Sequence, residues 1–164
     1  MHPLEVLSLK GFKVSGLFYN PNIHPFLEYD QRREAILKLD AKIELICPDY
    51  LPQDFFRIIN FKEDVSIRCP VCWKLRLKKT ASIAKLRGFD YFTTTLLASP
   101  YQDHEALKKL GKQAAKEEGV DFYYADFRPG FRKAHDDARS KGIYMQKYCG
   151  CIYSEIERYS KKKK

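Results

Sequence analysis

Four of the five cysteines stand in two close pairs: Cys69-Pro70-Val71-Cys72 in mid-chain and Cys149-Gly150-Cys151 near the end. Thiols at such spacings hold metals or exchange electrons, because two sulfurs can face one ion or each other. For the first pair, zinc, an iron–sulfur cluster and a thioredoxin-like dithiol all qualify. A thioredoxin-like motif would follow the first strand of its fold, whereas this one lies mid-chain. A helix is expected to begin at Cys72, so that its N-terminus and Arg68 favour the thiolate, the ligating form.

The second pair is tighter. Gly150 permits the turn that brings its sulfurs together, since glycine tolerates positive φ. A disulfide in so small a ring departs from relaxed geometry and is easily reduced, which suits a cycling couple. Equally, Cys149 and Cys151 could join Cys69 and Cys72 in a four-cysteine zinc site. Cys47, alone before Pro48, reads as a core cysteine. His24, His104 and His135 share no spacing and read as loop or surface residues.

Polar loops supply other candidates. Tyr19, Asn20 and Asn22, followed by His24, could read a base edge or a ribose, or simply build a turn. Thr94 and Ser99 could cradle a polar group or cap a helix. Arg128, two residues from Asp126, could contact a ligand or form only a salt bridge. Arg132, Lys133, Arg139, Lys141 and Lys147 form a candidate phosphate-contacting surface.

These residues need a scaffold. The 164 residues suffice for one domain with a real core, and 45% hydrophobic with 31% charged content is ordinary for a globular protein. The net charge of +9 favours polyanions, although the terminal Lys161–Lys164 run carries four of those charges. No apolar run approaches the ~20 residues that span a bilayer, and Met1–Glu5 lacks a signal-like core. The expectation is a cytoplasmic protein with no membrane partner.

Periodicity predicts helices near residues 3–10, 26–39, 51–60, 72–87, 103–118, 130–141 and 151–159. Strands are expected at 14–19, 43–46, 91–94 and 122–124. The alternation predicts an α/β fold, a parallel sheet with helices on both faces. A single domain should cover residues 1–159, with a basic tail at 160–164. Ligand sites in such sheets lie beyond the carboxyl ends of the strands, where the polar loops would meet. Such folds usually open with a strand, yet this chain opens on a helix, so a first strand is expected to be missing.

Taken together, the motifs resemble the epoxyqueuosine reductases of the QueH type. The matching segments are 18–25, Arg68-Cys69-x-x-Cys72, 94–100, Asp126-Phe127-Arg128 and Tyr148-Cys149-Gly150-Cys151, in the family's order. The resemblance implies a Rossmann-like (HUP-like) sheet. It also implies reduction of epoxyqueuosine to queuosine at the tRNA wobble position, the last step of queuosine biosynthesis, without cobalamin and with a 4Fe-4S cluster. It makes Cys69 and Cys72 cluster ligands and Cys149 and Cys151 a redox-active pair. Tyr19, Asn20, Asn22, His24, Thr94, Ser99 and Arg128 become substrate-binding candidates. tRNA and an unidentified electron donor are the implied partners, a second metal ion is left open, and the oligomeric state is not specified.

Family members begin with a strand and a Cys-Cys-x-x-Cys segment that supplies further ligands, and this sequence lacks it. The expectation is that the natural start lies upstream of Met1. The rival expectations are a zinc-stabilised RNA-binding protein without redox activity, and an inactive N-terminally truncated fragment.

Overall fold

Asp64 opens the longest helix of the chain, its carboxylate accepting from the Ser66 backbone N–H at 2.8 Å. That bond satisfies a donor the first helical turn leaves free. In this computed structural model, which describes residues 2–39 and 42–160, the helix runs over Val65–Leu86 (α4). Its buried stripe is Cys72, Leu77, Ala81 and Ala84, at the spacing of one helical face. The expected start at Cys72 is therefore corrected. Pro70 lies inside the helix, where it removes one main-chain bond near the solvent-exposed first turn without ending the element.

In chain order the other elements are α1 (His2–Leu9), β1 (Gly16–Leu17), α2 (Phe26–Leu37), β2 (Leu45–Ile46) and α3 (Pro52–Ile59). After α4 come β3 (Tyr91–Phe92), α5 (His104–Glu118), β4 (Asp121–Phe122), α6 (Phe131–Ser140) and α7 (Ile152–Tyr159). Short 3-10 turns occupy Thr95–Ala98 and Arg128–Gly130. Asp103 caps α5 through the Ala106 N–H at 3.0 Å, and Gly119, at φ +69°, ends it. The fold is mixed α/β. The lysine tail and the residue before His2 lie outside the described residues.

The strands are shorter than expected, and they do not form one sheet among the described residues. β1 pairs parallel with β2, in register Gly16 to Leu45, and β3 pairs parallel with β4, in register Tyr91 to Asp121. Between the pairs lies a cavity of about 280 Å³. Its walls include Gly16 and Leu17 of β1, Tyr91 and Phe92 of β3, Thr80 and Ile83 of α4, and Leu4 and Leu7 of α1. Gly16 and Phe18 bond to β2. Main-chain groups alternate along a strand, so those of Ser15 and Leu17 face the cavity instead.

The main core joins α4 to α5 through Leu77, Ala81, Leu107 and Ala114, with Leu97 and Phe127 from the loops. Leu77 and Leu107 are fully buried, each contributing about 1.5–3 kcal/mol by leaving water. A second, smaller core of Phe55, Ile59, Cys72 and Cys151 carries the thiols.

Candidate thiol site

Cys69 and Cys72 lie one turn apart on α4, so their side chains share a face. Cys72 is buried and Cys69 half-buried. Cys72 packs with Cys151 of the second pair against Phe55 and Ile59 of α3. The fold thus brings together two motifs that stand far apart in the chain. All five cysteines are free thiols.

Arg68 ties α4 to α7 beside this core. Its side chain is only 3% exposed, pairs with Glu157 at 2.8 Å, donates to the Glu63 carbonyl and lies over the Tyr153 ring. The half-exposed Glu157 keeps one end of the pair hydrated, which limits the desolvation cost.

The Cys149-Gly150-Cys151 turn is fixed from α2 and from the 20–25 loop. Gly150 has φ +112°, a conformation strained for any residue with a Cβ. Its carbonyl accepts from the His24 N–H at 2.8 Å, while the Tyr148 hydroxyl donates to the His24 carbonyl at 2.9 Å. Arg32 of α2 donates to the carbonyls of Tyr148, at 3.0 Å, and Cys149, at 2.9 Å. Ser154, in the first turn of α7, lies 2.9 Å from the Cys149 sulfur and donates to the Cys151 carbonyl at 2.8 Å.

The thiols are electrostatically unequal. Burial pushes Cys72 up to about 12 and also raises Cys69, with Arg68 pulling Cys69 the other way. The expected depression of this pair at a helix start is therefore corrected: both residues lie past the first turn of α4, where desolvation outweighs the helix terminus and Arg68. The second pair splits. A hydrogen bond from the Cys151 thiol, aided by Ser154, favours the Cys149 thiolate, and the same bond with burial holds Cys151 protonated. Cys149 is also exposed, whereas Cys151 is buried. The arrangement offers one accessible nucleophilic sulfur backed by a second sulfur that carries the proton.

The remaining candidates fall into two groups. Tyr19 is buried, its hydroxyl 3.4 Å from Asp54, and burial with that carboxylate pushes it up to about 12. Asn22 is buried with its side-chain oxygen unpaired, and His24 is buried with both ring nitrogens unpaired and its ring centroid 4.6 Å from that of Phe56. Asn20 is half-buried, its carbonyl closing a turn to Ile23. These four residues share the loop that bonds to the second cysteine pair.

Thr94, Ser99 and Arg128 are engaged locally. Thr94 caps the Thr95–Ala98 turn by accepting from Leu96 N–H at 3.2 Å, while also lining the cavity. Ser99 accepts from Tyr101 N–H at 3.2 Å. Arg128 is held by Asp126 at 2.6 Å.

Two residues of the site escaped the sequence: Arg32 and Ser154. Arg32 sits among charged helical residues and looks like part of a solvated face. A serine three residues after a Cys-x-Cys is the one local signal that could have marked Ser154, as a cap for the following turn.

Cys69 and Cys72 are the donors suited to an iron–sulfur centre: both are thiols, on one face, in a partly dry setting. They would supply two thiolates where a four-iron cluster takes four. Among the described residues no group of three or more His, Cys, Asp or Glu side chains is arranged to hold a metal ion. No helix among them is long and apolar enough to cross a membrane.

Comparison with known proteins matches residues 1–157 to the family model described as epoxyqueuosine reductase QueH. The chain is 42% identical over 155 residues to the epoxyqueuosine reductase QueH of Dehalococcoides mccartyi, covering 93% of this chain and 84% of that protein. It is 35% identical over 154 residues to that of Thermotoga maritima, covering 88% and 80% respectively. With a family match along nearly its whole length and relatives that share a third or more of its residues, the chain belongs to the epoxyqueuosine reductase QueH family.

Proposed function

We propose that this chain is an oxidoreductase that reduces epoxyqueuosine to queuosine at the wobble position of tRNA, in the cytoplasm. The observation that carries the reading is that Cys72 and Cys151, one from each pair, share one buried cluster with Phe55 and Ile59. Removing an epoxide oxygen as water to leave an alkene consumes two electrons and two protons. Closing a dithiol to a disulfide releases two electrons and two protons, so Cys149 and Cys151 match that demand in both currencies. The polarised pair supports this role, with Cys149 as attacking sulfur and Cys151 as proton holder.

Cys69 and Cys72 would hold the iron–sulfur cluster, whose contribution when bound is electrons at low potential. The residues around the second cysteine pair would then bind, orient and exclude water. Asn22 and His24 offer unpaired polar atoms for the modified base. Phe55 and Phe56 keep that neighbourhood apolar. The exposed cations Arg132, Lys133, Arg139, Lys141 and Lys147 hold the tRNA backbone, so affinity falls steeply with salt.

The scaffold reading is a Rossmann-like parallel sheet in one domain spanning 1–159. The cavity between β1 and β3, with strand edges facing it, supports that reading. The test is anaerobic purification, iron and sulfide determination, and single-turnover assay on tRNA bearing epoxyqueuosine. Brown protein that forms queuosine, with loss of product formation on Cys149→Ser or Cys69→Ser, supports the reading. Colourless protein holding one zinc and forming no product overturns it.

A further inference from the structure

Arg32 carries more interactions than any role in α2 requires. It makes four hydrogen bonds and a further ion-pair contact. Nε donates to Glu28 at 2.8 Å, and Nη2 stands 2.7 Å from the same carboxylate oxygen. Nη2 donates to the Tyr148 carbonyl, at 3.0 Å, and Nη1 divides between the Cys149 carbonyl, at 2.9 Å, and Gln146, at 3.1 Å. The guanidinium also lies over the Tyr148 ring, 5.4 Å from its centroid. The residue is 7% exposed, so this charge has left water for a cage of a carboxylate, two carbonyls and an amide.

Two of those acceptors are consecutive main-chain carbonyls, the ones that lead into Gly150. From the other side Gly150 is bonded to the His24 backbone. The turn between the two sulfurs is therefore held on both flanks. We propose that Arg32 is a positioning residue for the Cys149–Cys151 pair: its fork fixes the Tyr148 and Cys149 carbonyls, keeps the two sulfurs adjacent, and so favours their closure to a disulfide. The inference rests on reading these two cysteines as a redox couple. The physical basis is pre-organisation: a held turn raises the effective concentration of one thiol at the other.

The test is equilibration with glutathione. One glutathione disulfide takes two electrons and two protons from Cys149 and Cys151, leaving the protein disulfide and two glutathione thiols. Closure is read anaerobically by acid quenching, thiol labelling and mass spectrometry of the 149–151 peptide. Arg32→Lys keeps the charge but has no fork to grip two carbonyls. It should shift the equilibrium about tenfold toward the dithiol, or about 30 mV. Tyr144→Phe removes the 2.7 Å hydroxyl bond to Glu28 while leaving the carbonyl bonds of Arg32. It controls for general loosening and should shift the equilibrium less than about twofold. Should Arg32→Lys not fold, Glu28→Gln keeps the arginine but slackens its anchor, with roughly a threefold shift expected.

A folded Arg32→Lys with the wild-type midpoint overturns the positioning role and leaves the redox couple standing. Equal shifts in Arg32→Lys and Tyr144→Phe also overturn it. Absence of any 149–151 disulfide in the wild type under full oxidation sinks the redox couple itself and this inference with it.

Discussion

Gly150→Ala puts the geometry of the thiol turn under direct strain. At φ +112° the backbone lies outside the conformations open to alanine, a cost of about 1–3 kcal/mol. The new Cβ would also stand 2.7 Å from Ile23 Cγ1, 3.0 Å from Arg32 Nη1 and 3.3 Å from Ile23 Cα. The isoleucine is buried and Arg32 is caged, so neither yields freely. Overpacking of this kind costs about 1–3 kcal/mol more, giving roughly 2–6 kcal/mol in all. Gly142→Ala supplies the comparison. It has φ +62° and nothing within 4 Å of an added Cβ, so it carries a left-handed backbone cost of about 1–2 kcal/mol alone. Urea unfolding of the two variants, with a slope of about 1–3 kcal/mol per molar, separates them by roughly a molar or more in midpoint. Equal midpoints for Gly150→Ala and Gly142→Ala would refute the close packing of the turn on Ile23 and Arg32.

Other substitutions probe the rest of the site. Glu157→Ala strands the buried guanidinium of Arg68 with fewer partners and should cost about 1–3 kcal/mol in urea unfolding; an unchanged midpoint would mean the pair is ornamental. Iodoacetamide at neutral pH should label Cys149 well before Cys151; mass spectrometry showing Cys151 modified first contradicts the assigned polarity. Hydrogen bonds from Arg128 hold the Asp126 carboxyl near 2, below its ordinary 3.8. Its folded pKa is depressed, so its stabilisation is complete above about 3.8 and is lost as pH falls toward 2. Asp126→Asn should flatten stability against pH in that window alone, and an NMR titration placing the carboxyl near 4 would contradict it.

The helices were legible to within a residue or two wherever caps announced them, as Asp103 and Gly119 do for α5. The start of α4 was not, because Pro70 imitates a first-turn proline while the working cap, Asp64, lies six residues earlier. The strands were overlong in sequence for a physical reason. The apolar run at 14–19 suits a strand flanked on both sides, but β1 has a neighbour on one side and a cavity on the other. The cysteines announced the site through their spacing. Their unequal acidities were hidden, since these follow from burial and from one thiol bonding to the other. Arg32 was hidden more deeply: its partners are main-chain carbonyls, which have no residue type to read.

Those bonds from Arg32 reach 116 and 117 residues along the chain, and this orders events in time. During synthesis α2 leaves the ribosome long before its carbonyl partners exist. Until residues 146–150 arrive, the charge of Arg32 stays hydrated and the 20–25 loop lacks the bonds that Gly150 and Tyr148 bring. The thiol turn therefore closes only after a long stretch of chain has been made, a non-local contact whose loop-closure cost comes first. It is also the part whose opening leaves the α4–α5 core undisturbed. A nascent chain can thus assemble its α4–α5 core before its thiol turn, and the Cys149 sulfur meets its fixed setting only once α2 and residues 146–151 have both emerged.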